Sequence, residues 1–193
     1  MSLDSPLRRW LEGLGAHQDV IEFFAPYGSD FIQAYRDLDR GDWLLGLASR
    51  LVDDRGALVR AAAAVARVAE SALDRDRVGG EAIELIEAAE DWAALRRNGE
   101  ELVAKADALE KRAEKLEDPR HRFTLLAASS AARSAADPEA APMTAYYVME
   151  ALLAAHGGED DAMERVAEIH QLTAKAAKMH LPPELMRTPF KAH

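Results

Sequence analysis

The most concentrated chemical groups in this sequence are two sets of acidic side chains. The first set recurs every three residues and ends in an adjacent pair: Glu81, Glu84, Glu87, Glu90 and Asp91. On an α-helix, residues at this spacing drift by about 60° per step, so the set covers a broad outer surface opposite Ile83, Ile86 and Trp92. The second set is Glu159, Asp160 and Asp161, followed by Glu164 and Glu168.

Such acidic sets have two chemical uses. They stabilise the positive end of a helix dipole and keep a helical protein in solution. They also form a negative surface that attracts a basic partner and accelerates its encounter. The sequence leaves both uses open. The predicted partner-binding residues are those of the first set, Glu81, Glu84, Glu87, Glu90 and Asp91.

Patterns that would carry catalysis or bind a metal or cofactor are absent from the sequence. The six histidines are widely spaced, and none belongs to a Glu-x-x-His motif of the di-iron type. His170 and His180 would lie about 80° apart around a helix, too far to chelate one ion. Ser129-Ser130 is not part of a Gly-x-Ser-x-Gly elbow, and Gly79-Gly80 and Gly157-Gly158 match no phosphate loop. We therefore predict no catalytic residue, no metal and no cofactor.

The composition excludes further classes of protein. The chain has 193 residues, a formal net charge of -10 and no cysteine, and 49% of its residues are hydrophobic. The hydrophobic fraction is too high for a disordered chain, and the acidic balance argues against a nucleic-acid binder. The amino terminus lacks the basic and apolar regions of a signal peptide, and the longest alanine-rich run, residues 61–66, is far too short to cross a membrane. We expect a soluble, cytoplasmic protein.

Helical periodicity runs through almost the whole chain, and no segment alternates in the manner of a strand. Alanine, the best helix former, supplies 39 residues. The pattern predicts an all-α, compact, partly irregular helical bundle of about eight to ten helices. We expect one domain over residues 1–181 and a C-terminal tail over residues 182–193, either lying on the bundle or contacting a second subunit.

Helix boundaries are predicted from capping residues, prolines and glycines. Ser5-Pro6, Asp118-Pro119 and Asp137-Pro138 are typical of helix starts, with Pro142 shifting the third start. Asn98 to Glu101 resembles a capping box. Gly41 is predicted to close one helix and Asp42 to cap the next. The pairs Gly79-Gly80 and Gly157-Gly158 are predicted to break the chain as helix C-caps.

Trp43 and Trp92 each follow an aspartate. A tryptophan in such a chain is either a core anchor whose indole N–H is satisfied locally or an aromatic hot spot at an interface. We expect both to be core anchors, and the hot-spot role stays open.

The order of several segments resembles the immunity-protein family of bacterial polymorphic toxin systems. The segments are residues 40–51 (RGDWLLGLASRL), the alanine-rich residues 58–73, residues 82–93 (AIELIEAAEDWA), residues 99–106 (GEELVAKA), and the closing stretch from 166–170 (VAEIH) to 180–183 (HLPP). The resemblance covers roughly residues 10 to 183. It implies an all-α cytoplasmic protein that binds and neutralises a toxin without catalysis, and it transfers no residue of known role.

Two functions follow as hypotheses. The first is a non-catalytic binding protein that occludes a toxin by stoichiometric docking through the acidic helical surface, with a basic toxin domain as the protein partner. The alternative is a helical scaffold or adaptor that self-associates, for instance as a homodimer through its alanine-rich helices. Neither involves nucleic acid or a membrane.

Overall fold

Ten α-helices make up most of the part of the chain that the computed structural model describes, which is residues 5–72, 77–95, 99–156 and 162–190. The helices are α1 (Pro6–Gly13), α2 (Gln18–Phe24), α3 (Phe31–Asp37), α4 (Gly41–Leu51), α5 (Arg55–Val68), α6 (Arg77–Leu95), α7 (Gly99–Ala113), α8 (Pro119–Arg133), α9 (Ala141–His156) and α10 (Ala162–Lys178). Short 3-10 turns occupy Ala25–Tyr27, Ala69–Ala72, Pro138–Ala140 and Pro183–Leu185. No strand occurs in these ranges, so the predicted all-α bundle is confirmed.

The predicted helix starts at proline are confirmed. The Ser5 hydroxyl accepts a hydrogen bond from the Arg8 backbone N–H, and the Asp118 carboxylate accepts one from the Arg120 N–H. Both caps satisfy N–H groups that have no partner inside the helix. Asp137 caps the 3-10 turn Pro138–Ala140 instead, and α9 begins after it, as Pro142 indicates.

The predicted boundary at Gly41 and Asp42 is wrong. Helix α3 ends at Asp37 with Leu38 as its cap, and Gly41 is the first residue of α4. Asp42 therefore lies within the first turn, where its carboxylate binds the Arg40 guanidinium at 2.6 and 3.1 Å. Gly41 is needed for packing rather than for a turn, because a Cβ there would lie 2.5 Å from Thr173 Oγ1 on α10.

The predicted break at Gly79-Gly80 is also wrong, since both glycines lie in the first turn of α6. A glycine costs only about 1 kcal/mol in a helix. The buried stripe that follows offsets this cost, and it consists of Ala82, Leu85, Ile86, Ala89 and Ala93. The expected cap Asn98 and the expected break Gly157-Gly158 lie outside the described residues.

Alanine-rich helices form the centre of the bundle. Helix α5 contacts α6, α8, α9 and α10, and α8 contacts α6, α7 and α9. Five alanines of α5 are at most 1% exposed: Ala57, Ala61, Ala62, Ala63 and Ala66. Because these side chains are small, the helix axes can approach closely. The alanine-rich faces that could have formed a dimer are therefore occupied within the chain.

The C-terminal segment lies on the bundle beside α1 and α4. The Arg187 backbone N–H donates to the Leu51 carbonyl at 2.9 Å, and Met186 is buried. The Phe190 ring makes an edge contact with Trp10, with 5.6 Å between ring centroids. Over residues 182–190 this geometry matches the first of the two predicted arrangements of the tail. None of the helices in the described ranges combines the length and the apolar character that a membrane span requires.

Candidate functional site

Two of the five predicted partner-binding carboxylates hold helices together. Glu90 on α6 accepts two hydrogen bonds, of 2.7 and 2.6 Å, from the Arg67 guanidinium on α5. Hydrogen bonding to Glu90 is the main reason why the pKa of Arg67 is raised. Glu81 at the other end of α6 pairs with Arg112 on α7. These two acids are neutralised within the protein, so their charges contribute little to any outer surface.

The other three carboxylates form what we call the acidic stripe: Glu84, Glu87 and Asp91. All three are exposed, and in the described structure none of them makes an ion pair. Their spacing of three and then four residues places them one above the other on one face of α6. Leu95, 58% exposed, follows one turn further along the same face. The stripe is thus narrower than the predicted surface and ends in an exposed apolar side chain.

The second acidic set is less well defined. Glu164 and Glu168 are exposed on α10, one turn apart. Glu159, Asp160 and Asp161 lie outside the described residues. The pair Glu164 and Glu168 matches Glu84 and Glu87 in charge and exposure, although it belongs to a helix that packs on α4, α5 and α9 instead of α7 and α8.

A cleft of about 570 Å³ lies between the turn joining α1 to α2, the outer face of α4 and the start of α9. We call it the α4–α9 cleft. Its lining is Leu14, Ala16, His17, Asp19, Val20, Arg40, Asp42, Trp43, Gly46, Leu47, Arg50, Pro142, Met143 and Tyr146. The volume falls within the range of about 300–1,000 Å³ typical of ligand pockets.

Trp43 forms one wall of the cleft and is held from two sides. The Arg40 guanidinium lies over the Trp43 ring, 4.2 Å from its centroid, and Phe23 makes an edge contact at 5.9 Å. Asp42 fixes Arg40 in turn through the two hydrogen bonds described above. Both Trp43 and Trp92 are half-buried and pack against the hydrophobic core. Trp43 also presents surface to the cleft, and its hot-spot role stays a prediction.

Arg50 ties the other end of the cleft to α4. Its Nη1 donates to the carbonyls of Leu14 and Gly15, each at 2.9 Å, and its Nε lies 3.7 Å from the Glu139 carboxylate. The opposite wall carries Met143 and Tyr146, which are 40% and 42% exposed. The cleft therefore has one wall held by hydrogen bonds from Arg50 and an incompletely covered apolar surface on the other.

His17 lines the cleft, and a second histidine, His170 on α10, lies beside Asp42 of the lining. The Nδ1 of His170 lies 3.8 Å from the Asp42 carboxylate. Burial lowers the pKa of His170, while the charge of Asp42 opposes that shift. Across the described ranges no three metal-ligating side chains converge.

Sequence reasoning missed the cleft because its walls come from three distant segments. Two signals were available, namely the tryptophan in Gly41-Asp42-Trp43 and the adjacent pair Tyr146-Tyr147. Only the packing of α9 on α4 brings them together.

Comparison of the chain with family models, with curated proteins and with solved structures finds no match.

Proposed function

We propose that this chain is a non-catalytic binding protein that docks stoichiometrically on a basic protein partner, in the manner of the toxin-neutralising immunity proteins it resembles. The acidic stripe is the observation that carries the proposal. Its three carboxylates are exposed and aligned, whereas Glu81 and Glu90 on the same helix are neutralised by arginines. The proposed setting is the bacterial cytoplasm, as the resemblance implies.

The physical basis is electrostatic steering followed by short-range contact. Aligned carboxylates on a rigid helix attract a basic surface and accelerate encounter. Exposed Leu95 at the end of the stripe supplies an apolar contact once the partner arrives. A toxin that acts on nucleic acid carries a basic active face, so docking there would block its access to substrate.

Rescue of growth tests this function. A candidate basic toxin domain, sought among the neighbours of the gene, is expressed with the wild-type protein or with Glu84→Lys/Glu87→Lys. We expect the wild type to restore growth and the double variant to fail, at equal protein levels. The matched control is Glu164→Lys/Glu168→Lys, which changes the net charge equally and should still restore growth. Absence of rescue by the wild type, or equal rescue by both variants, would contradict the proposal.

Self-association is the second candidate, and exposed apolar side chains at the C-terminal end of α10 favour it. Leu172 on α10 is 45% exposed, and Met179, in the turn directly after the helix, is 68% exposed. Such a surface would pair with a second copy, since the alanine faces of α5 and α8 are internal. Sedimentation velocity at micromolar concentration separates the candidates: a stable homodimer supports the scaffold, and a monomer supports the binding protein.

A further inference from the structure

The α4–α9 cleft lies apart from the acidic stripe. Helix α4 packs on α5, α9 and α10, whereas α6 packs on α5, α7 and α8. From its shape, lining and charge we infer that the cleft is a binding site for an uncharged, drug-sized aromatic molecule. This inference goes beyond the proposed docking function and does not depend on it.

Contacts within the protein hold two walls of the cleft. Arg50 holds the turn between α1 and α2 through two backbone carbonyls, and Arg40 and Phe23 hold the Trp43 ring. Gly46 and Pro142 adjoin each other in the lining, since a Cβ added at Gly46 would be in ordinary van der Waals contact with the Pro142 Cβ, at 3.9 Å. Walls held in this way lose little conformational entropy on binding, which favours a small ligand.

The charges that line the cleft cancel. Arg40 is paired with Asp42. Arg50 donates to two backbone carbonyls and lies near the Glu139 carboxylate. Two arginines and two aspartates line the cleft, so their formal charges cancel, in a chain whose net charge is -10. The cleft therefore offers no net attraction to an ion of either sign and favours an uncharged ligand.

The remaining residues of the lining favour a ligand with an aromatic ring. Trp43 and Tyr146 present aromatic surface, and Met143 presents a polarisable thioether that contacts ring edges well. Leu14, Val20 and Leu47 complete an apolar wall. A planar aromatic molecule could stack on Trp43 while its far edge meets Met143 and Tyr146. The concave shape and the volume of about 570 Å³ favour such a molecule over a flat protein surface.

Titration of the whole chain with N-phenyl-1-naphthylamine, an uncharged aromatic probe that fluoresces on leaving water, tests this site. We expect a saturable rise in fluorescence with one probe per chain. The blocking variant is Gly46→Leu, which adds a side chain at a residue of the cleft lining beside Pro142. Leucine is a better helix former than glycine, and an unchanged circular dichroism spectrum confirms that the variant is folded before the titration. Its affinity for the probe should fall by about tenfold or more, because the side chain occupies volume that the ligand needs.

Two controls make the outcome decisive. Ala167→Leu adds an exposed leucine on α10, away from the cleft, and should bind the probe like the wild type. Glu84→Lys/Glu87→Lys should also bind normally, so failure of the stripe proposal and failure of this one are distinguishable. Non-saturable fluorescence, or equal binding by Gly46→Leu, would overturn the inference. A dimer in sedimentation that Gly46→Leu dissociates would overturn it as well, by assigning the cleft to a second copy.

Discussion

Gly41 and Gly46 occupy the same helix but face different surroundings. A Cβ at Gly41 would lie 2.5–2.8 Å from atoms of Thr173, including a backbone carbon that cannot move away cheaply. A Cβ at Gly46 would meet nothing closer than 3.9 Å. One glycine therefore permits close contact between α4 and α10, whereas the other lines the cleft at a position where a methyl group would fit beside Pro142.

Alanine at these two positions should shift stability in opposite directions. Gly41→Ala should lower the free energy of unfolding by about 1–3 kcal/mol, because the helices must separate. Gly46→Ala should raise it by about 0.5–1 kcal/mol, because alanine loses less backbone entropy in a helix. Urea unfolding monitored by circular dichroism measures both. Equal effects at the two sites would contradict the packing described for Gly41.

Asp118 caps α8, and its lowered pKa makes the free energy of unfolding depend on pH in a predictable direction. Hydrogen bonds from the Arg120 side chain, aided by its backbone N–H, lower the pKa of Asp118 to about 2. The unfolded chain has a pKa of about 3.9 at an aspartate. The stabilisation is therefore fully present above about pH 4 and is lost as the pH falls through about 2.

Asp118→Asn separates the charge from the cap. Asparagine still accepts the Arg120 N–H, so the helix start is kept, and the loss at pH 7 should be at most about 1 kcal/mol. Between about pH 4 and pH 2 the variant should lose less stability than the wild type, since it has no proton to take up at this position. Urea midpoints across that pH range provide the measurement, and parallel curves would refute the account of Asp118.

At the scale of elements, close approach of the central helices depends on side-chain size. Ala62 lies in the middle of α5 and is fully buried. Ala62→Leu should destabilise the fold by about 1–3 kcal/mol or more, because a well-packed core cannot accept the added carbons without strain. Ala167→Leu on exposed α10 is the control and should change stability by less than about 0.5 kcal/mol. A small effect at both positions would mean that the α5 contacts are loosely packed.

Helix existence and several helix starts could be predicted from the sequence because their causes are local. Ser5-Pro6 and Asp118-Pro119 specify a cap and a first turn within two residues. Gly41 and Gly79-Gly80 were misread because their conformations depend on distant partners. Gly41 lies in helix α4 because Thr173 on the neighbouring helix leaves room only for a small residue. Gly79 and Gly80 are helical because the buried apolar residues that follow them stabilise α6.

In the candidate sites, too, the features with local causes could be predicted and those that depend on distant partners could not. Periodicity placed the acidic residues on one helix, but the partners Arg67 and Arg112, which neutralise Glu90 and Glu81, come from α5 and α7. Spacing along α6 could not reveal those cross-helix pairs. The α4–α9 cleft depends entirely on tertiary packing, so neither its volume nor its neutral lining could be read from the chain.

For the whole molecule, the net charge of -10 is distributed unevenly over the structure. Part of the negative charge is used internally, as at Glu81 and Glu90, and the α4–α9 cleft carries no net charge. The acidic stripe remains as an ordered negative surface on the outer face of α6. The proposed steering of a basic partner therefore depends on the stripe rather than on the overall charge.

The association rate between this chain and a basic toxin domain, its proposed partner, tests that claim most directly. Stopped-flow fluorescence should show wild-type association slowing as salt rises from about 20 to 200 mM, because salt screens the attraction. Glu84→Lys/Glu87→Lys should associate about tenfold more slowly at low salt and depend little on salt, while Glu164→Lys/Glu168→Lys keeps most of the wild-type rate. Unchanged rates in the stripe variant, or equal slowing in both variants, would contradict the account.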